Sequence, residues 1–258
     1  MIVRAPATSA NLGPGFDCAA VALDLWNELE LADGDGVVVE GAGAGELPED
    51  ATNLAVMAYA LLADPTGKLF RFTNRIPLER GLGSSAAARP SAIAAAGLEL
   101  ESHADNLAAA LTGGVTLTWD GRVARIAESL PLTPVALVPR ERTSTEASRR
   151  ALPSSIPHAD AAANAARAAL LAAGAVAGDA ELFAAALDDR LHEPYRPSPT
   201  LEAVRAEPPP GSRGATLSGS GPTVIVWADD AETCAEALTS RFSEHEVIRL
   251  AVTPRGAL

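Results

Sequence analysis

The chain has 258 residues, 48% of them apolar and 21% charged, which allows a real core and excludes a disordered or fibrous protein. A formal net charge of −13 disfavours nonspecific binding to nucleic acid or anionic membrane but permits a locally basic pocket. Cys18 and Cys234 lack the number and spacing for a disulfide framework or a zinc site. No apolar run is long enough to span a bilayer and no leader precedes the first strand, so a cytoplasmic protein is the expectation.

In chain order, residues 2–5 read as a strand running into a loop, residues 6–17, dense in small residues and glycine. Such a loop can bring Asn11 and Asp17 to one side. Residues 21–31 alternate as a strand (Leu23, Leu25, Leu29, Leu31), residues 37–40 form another, and residues 41–45 make a glycine-rich surface link. Residues 53–63 read as a helix capped by Asn53, with Leu54, Met57 and Leu61 at helical spacing. Residues 69–73 form a strand with Phe70 and Phe72 on one face.

The organising stretch follows: Pro77, Leu78, Glu79, Arg80, Gly81, Leu82, Gly83, Ser84, Ser85, Ala86, Ala87. Gly81 and Gly83 permit a sharp turn and close approach to a ligand. The alanines favour a helix whose first turn holds Ser84 and Ser85. A glycine loop opening a helix offers unpaired N–H groups and a positive dipole end, an anion site usually occupied by phosphate. No G-K-[ST] follows, so it is not a Walker A loop. The G-x-G-x-x-A match lacks the buried strand that a dinucleotide fingerprint needs. Pro90 falls in the first turns of the helix. A short alanine helix ends at Gly113-Gly114, and residues 115–126 form a hairpin around Asp120-Gly121, a pair suited to a type I′ turn.

A domain boundary is expected near Pro131, dividing the chain into residues 1–131 and 132–258. The second half opens with a strand at 135–138 and a polar segment at 140–150. Helices follow at 160–173 (with Asn164 and Arg167) and at 180–192 (with Phe183, Leu187 and Leu191 in register). A strand at 215–217 enters the loop 218–223, then come a strand at 224–228, a helix at 232–242 and a strand at 247–252. This order suits an antiparallel sheet with helices on one face, an α+β protein.

Three loops in order, residues 6–17, 81–87 and 218–223, resemble the three motifs of the GHMP small-molecule kinases. Within that superfamily the chain most resembles the homoserine kinases. His103-Ala-Asp105-Asn106, residues 144–153 and residues 189–196 carry the finer likeness. It runs over nearly the whole chain. The resemblance implies a ribosomal-protein-S5-domain-2-like N-terminal domain and a ferredoxin-like C-terminal domain. It implies phosphorylation of L-homoserine by ATP to O-phospho-L-homoserine, a step toward threonine, with Mg²⁺ as cofactor. A homodimer is expected, with no nucleic-acid or membrane partner.

It also implies roles. Arg149 and Arg196 match the arginines for the substrate carboxylate, which suits a planar bidentate guanidinium. Asp17 matches the partner of the substrate ammonium, and Asn11, His103 and Asp105 fall at substrate-lining positions. Asn106, with Asp105, is placed to steer the hydroxyl. Residues 77–87 form the ATP-binding stretch, in which backbone N–H groups of residues 81–86 hold the nucleotide phosphates. Glu99 and Ser85 match the Mg²⁺ ligands; two protein oxygens suffice for a cation that keeps waters and phosphate. Phosphoryl transfer asks for alignment and charge neutralisation more than for a strong base. The chain departs from the family in length. Only seventeen residues, 87 to 103, join the glycine loop to His103, about one 22 Å helix short, so Glu99 comes from a shortened connection. The alternatives are a GHMP relative that binds ligand without turnover, or a kinase for mevalonate, shikimate or a sugar.

Overall fold

The computed structural model describes residues 1–87 and 104–257. The first sheet contains β1 (Ile2–Asn11), β2 (Gly15–Asp33), β3 (Gly36–Gly41), β4 (Lys68–Asn74), β5 (Val115–Trp119) and β6 (Arg122–Ala127). The order is β3-β4-β2-β5-β6, with β1 also on β2. Every pairing is antiparallel except β3 with β4. The expected loop at 6–17 is largely strand. Ala5 through Asn11 are all buried, so both faces of β1 are covered and no polar–apolar alternation betrays it. The turn shrinks to residues 12–14, with Asn11 and Leu12 at φ 71° and 48°.

Helix α1 (Leu54–Ala60) is capped as expected, Asn53 Oδ1 accepting from Ala55 N–H at 3.0 Å. Its buried face differs from the expected one. Ala55, Val56 and Ala58 point inward, whereas Met57 and Leu61 are 47% and 57% exposed. The small side chains let the helix settle against Phe70 and Phe72. The 115–126 hairpin is as read, with Asp120 and Gly121 at φ 47° and 71°. Helices α2 (Ser84–Ala87) and α3 (Ala104–Thr112) border the site. Pro90, Glu99 and His103 fall outside the described residues.

The second half contains β7 (Thr133–Val138), α4 (Thr145–Arg150), α5 (His158–Ala177), α6 (Ala180–Ala186), a 3₁₀ turn (Glu193–Tyr195), α7 (Pro199–Ala206), β8 (Ser212–Leu217), β9 (Val224–Ala228), α8 (Ala231–Arg241) and β10 (Glu246–Arg249). The strands order β10-β7-β9-β8, all antiparallel. Helices cover both faces of this sheet rather than one. Val135, Leu137, Val224 and Val226 meet Leu201 and Val204 of α7 and Leu238 of α8. Ala136, Ile225 and Trp227 meet Leu171 of α5, Phe183 of α6 and residues of the first sheet. Two covered faces make each strand a continuous apolar run that hides its pleat. The core therefore passes unbroken from one sheet to the other. The chain end returns to the first sheet, where Thr253 N–H donates to Ala22 O at 3.0 Å and Gly114 N–H to Thr253 O at 2.7 Å.

Three further elements depart from the reading above. α4 lies in the polar segment 140–150, where no helix is expected, and is capped by Ser144 Oγ accepting from Ala147 N–H at 3.3 Å. α7 was not anticipated, although Ser198 at the cap and Pro199 at the first position are a helix-start signal. α6 stops at Ala186 instead of reaching 192. The Asp189 carboxylate accepts the N–H groups of Leu191, His192 and Glu193 at 3.1, 2.8 and 2.8 Å, which diverts them from helical bonding.

Candidate active site

A cavity of about 390 Å³ opens where the β1–β2 turn, the glycine loop, α3, α4 and the 218–223 loop meet. Asn11, Asp17, Asp105, Asn106, Arg149 and Arg196, predicted far apart in the sequence, all line it, together with Glu79, Gly81, Gly83, Ser84, Ser85 and Ala86. Pro77, Leu78 and Arg80 instead line a neighbouring groove of about 670 Å³ that also takes in Gly43, Arg140 and Arg142. Leu82 and Ala87 are buried in the core, with Ile76 anchoring the loop's entry.

Positive φ at both glycines bears out the sharp turn, and their neighbours add a second reason for them. A Cβ on Gly81 (φ +79°) would sit 2.2 Å from Ser218 O, and one on Gly83 (φ +67°) 1.9 Å from Thr8 Oγ1. It is the protein's own first and third motifs that crowd the loop. Ser218 Oγ donates to Gly81 O at 2.6 Å and Ser9 Oγ lies 2.9 Å from it. Leu82 O accepts from Thr8 N–H at 3.1 Å. The Arg80 guanidinium donates to the carbonyls of Pro139, Leu78 and Arg140 at 2.9, 3.1 and 2.7 Å. That side chain pins the loop to the end of β7.

Asn11 works as a brace. Its Oδ1 accepts from Asp17 N–H at 3.0 Å and its Nδ2 donates to Gly219 O at 2.9 Å, which joins the first motif to the third. Asp17 takes φ 55° and pairs with Arg149 through two bonds of 3.0 and 2.8 Å. That hydrogen bond is the main cause holding the Arg149 guanidinium above its ordinary pKa. α4 brings Arg149 here, and Ser148 Oγ bonds Ser220 O at 3.3 Å to fix the helix on the third motif. At the start of α3, Asn106 N–H donates to Asp105 Oδ1 at 2.8 Å. Thr8 Oγ1 donates to Asn106 Oδ1 at 2.6 Å, which orients the amide.

Arg196 is buried, and its Nη1 donates to Gly219 O at 3.1 Å and to His192 Nδ1 at 3.0 Å. Burial pulls its guanidinium below the ordinary arginine pKa. The Phe16 ring lies beneath both guanidiniums, 5.9 Å from Arg149 Cζ and 5.4 Å from Arg196 Cζ. Phe16 and His192 were not singled out as site residues; an aromatic beside the first motif and a histidine four before Arg196 were the available signals. Cys18, beside the site, is a free thiol pushed up chiefly by burial and then by Asp105 and Asp17, so it offers no thiolate chemistry.

Charge decides what the cavity can take. Among the described lining residues, four carboxylates (Asp17, Glu79, Asp105, Glu146) face two guanidiniums (Arg149, Arg196). A polyphosphate entering this lining needs added positive charge. The described residues hold no cluster of three or more acidic, histidine or cysteine side chains that could cage a metal. A cation retained by one or two protein oxygens plus phosphate fits that donor set, which is the habit of Mg²⁺.

The description "GHMP kinases C terminal" matches residues 166–244. The chain is 40% identical over 295 aligned positions to a homoserine kinase of Clavibacter michiganensis subsp. michiganensis, covering 99% of this chain and 92% of that one. It is 39% identical over 292 positions to one of Streptomyces coelicolor, covering 99% and 93%. Both alignments are longer than the chain's 258 residues, so these relatives carry sequence that this chain lacks. The homoserine kinase structure of Cytophaga hutchinsonii superposes with a TM-score of 0.82 at 26% identity, covering 100% of this chain and 96% of that one. Methanococcus jannaschii mevalonate kinase shares the fold, at TM-score 0.69 and 14% identity over 98% of each chain. With these relatives, this fold and three motifs closing on one cavity, the chain belongs to the homoserine kinase family of the GHMP kinases.

Proposed function

We propose that the chain transfers the γ-phosphoryl group of ATP to the side-chain hydroxyl of L-homoserine, breaking the β–γ P–O bond and giving ADP, O-phospho-L-homoserine and a proton released to solvent. The observation that carries this reading is the meeting of Arg149, Arg196 and Asp17 with the glycine loop around one cavity. An α-amino acid brings a carboxylate and an ammonium together, and this set offers the complement of each.

In this reading the Arg149 and Arg196 guanidiniums bind the substrate carboxylate. Asp17, now paired with Arg149, turns to the ammonium. The exchange replaces one ion pair by two, so the substrate's charges are matched without leaving Asp17 unpaired. Asn106, its amide fixed by Thr8, accepts the hydroxyl proton's hydrogen bond and aims that oxygen along the line of transfer. Backbone N–H groups of residues 81–86 cradle the phosphates. Pro77, Leu78 and the groove beside them receive the nucleoside. Ser85 and Glu99 would hold Mg²⁺, which when bound neutralises the phosphate oxygens. The reaction proceeds mainly through alignment and electrostatic preorganisation.

The two sheets are read as two units divided near Pro131. ATP and a free amino acid as substrates favour a cytoplasmic location, and light scattering tests the expected homodimer. Among the described residues no helix is long and apolar enough to cross a membrane.

The test is ADP release from ATP and Mg²⁺ with and without L-homoserine, beside Arg196→Ala. Homoserine-dependent release that collapses in the variant supports the reading. Binding without release would favour a non-catalytic relative, and release driven by another alcohol would overturn the substrate assignment.

A further inference from the structure

We infer that His192 is a positioning residue for the substrate-carboxylate arginine: it acts as a neutral bridge that holds Arg196 to the β1–β2 turn, and Phe16 and Asp189 lock it in place. The inference rests on the reading of Arg196 given above.

The geometry assigns the tautomer. Arg196 Nη1 lies 3.0 Å from His192 Nδ1, and a guanidinium has no lone pair to offer, so Nδ1 must accept. Nε2 lies 2.9 Å from Gly13 O, which can only accept, so Nε2 carries the proton. Both ring nitrogens are thereby committed, one to Arg196 and one to the first motif. The side chain is 0% exposed, and the Phe16 ring stacks on it at 5.1 Å with a 23° tilt. Its backbone is fixed by Asp189, whose Oδ2 takes the N–H groups of His192 and Glu193, each at 2.8 Å.

This arrangement makes Arg196 directional. Gly219 O and His192 Nδ1 share its Nη1, and Phe16 supports its face, so the guanidinium is preorganised rather than free to rotate. A second proton on His192 would remove the Nδ1 lone pair and set a cation against Arg196. The groups facing the imidazole are Asp189, Arg196, Asp17 and the Gly13 carbonyl. Burial is the largest influence and lowers its pKa below 6.5; the Asp189 carboxylate opposes that and Arg196 adds to it. The bridge is therefore intact at neutral pH and fails only on the acid side of the ordinary histidine range.

The test compares His192→Leu, His192→Gln and the wild type in steady-state kinetics for both substrates, with Arg196→Ala alongside. An amide can accept from Arg196 and donate to Gly13 O; leucine keeps bulk and does neither. The expected result is a KM for homoserine raised about tenfold or more in His192→Leu, the scale of losing a hydrogen bond to a charged group. The ATP KM stays within about twofold, and His192→Gln recovers most of the loss. In the wild type the homoserine KM rises as pH falls below the His192 pKa, and His192→Gln abolishes that rise. If His192→Leu does not fold, His192→Gln and the wild-type pH profile decide. A homoserine KM that rises equally with falling pH in the wild type and in His192→Gln, or His192 variants that lower kcat and stability with the homoserine KM unchanged, would overturn the inference. If homoserine is not turned over by the wild type, or Arg196→Ala leaves its KM unchanged, the parent reading fails instead.

Discussion

Gly83→Ala should destabilise the protein by about 3–6 kcal/mol, and the structure says why. Gly83 sits at φ +67°, and the added Cβ would lie 1.9 Å from Thr8 Oγ1, 3.2 Å from Thr8 Cβ and 3.3 Å from Thr8 N. The left-handed conformation costs an alanine about 1–2 kcal/mol. Thr8 is fully buried, so its hydroxyl cannot swing into solvent, and overpacking of that kind costs about 1–3 kcal/mol. Displacing the hydroxyl also breaks its 2.6 Å bond to Asn106, worth about 1 kcal/mol. Urea unfolding read by circular dichroism gives the free energy, and the same loss should lower Tm by about 6–24 °C. A double-mutant cycle with Thr8→Ala isolates the clash: the second change removes Oγ1 and should recover about 1–2 kcal/mol of coupling. A single variant within about 0.5 kcal/mol of wild type, or a cycle with no coupling, would refute the claim that the glycine is required by its own neighbours.

Three further outcomes are expected. Asp17→Asn should raise the homoserine KM about tenfold or more while changing stability by less than about 1 kcal/mol, since the Asp17–Arg149 pair is 44% and 46% exposed; a large loss in urea stability would count against it. Burial pushes the Glu193 carboxyl from 4.5 up to about 7 despite Arg205 Nη2 at 2.6 Å. The folded state thus holds a proton that the unfolded state releases, and this group's contribution is full below pH 4.5 and lost as pH rises to about 7. The stability difference between wild type and Glu193→Gln should shift by up to about 3 kcal/mol across that window; a pH-independent difference would contradict it. Chelation by EDTA should stop turnover, and Glu99→Gln should raise the Mg²⁺ needed for half-maximal rate; an unchanged Mg²⁺ requirement would remove Glu99 from the metal site.

What the sequence discloses follows from which signals are local. The type I′ turn at Asp120-Gly121 and the Asn53 cap depend on two or three adjacent residues, and both are as read. The pleat of β1 and β7 is invisible because both faces are covered, so burial writes no alternation into Ala7, Thr8, Ser9 and Ala10. The α1 stripe misleads because Ala55 and Val56, not Met57 and Leu61, pack against the phenylalanines of β4. The site residues are legible one motif at a time, but their roles toward one another are not. Nothing in Gly81-Leu-Gly83 says that Ser218 and Thr8 occupy the space a side chain would need. Nothing in Asp189-Arg-Leu-His192 says that the carboxylate ends a helix and leaves the imidazole to face Arg196. The contacts that close the site span up to 209 residues of chain, as between Ser9 and Ser218.

The central claim is that this cavity selects an α-amino acid alcohol as phosphoryl acceptor. Its most direct test is mass spectrometry of the products formed from ATP and Mg²⁺ with L-homoserine and mevalonate supplied together at equal concentration. The account predicts a single new phosphate ester, O-phospho-L-homoserine, formed in step with ADP. Phosphorylated mevalonate, or ADP formed in equal amount without any acceptor ester, would contradict it.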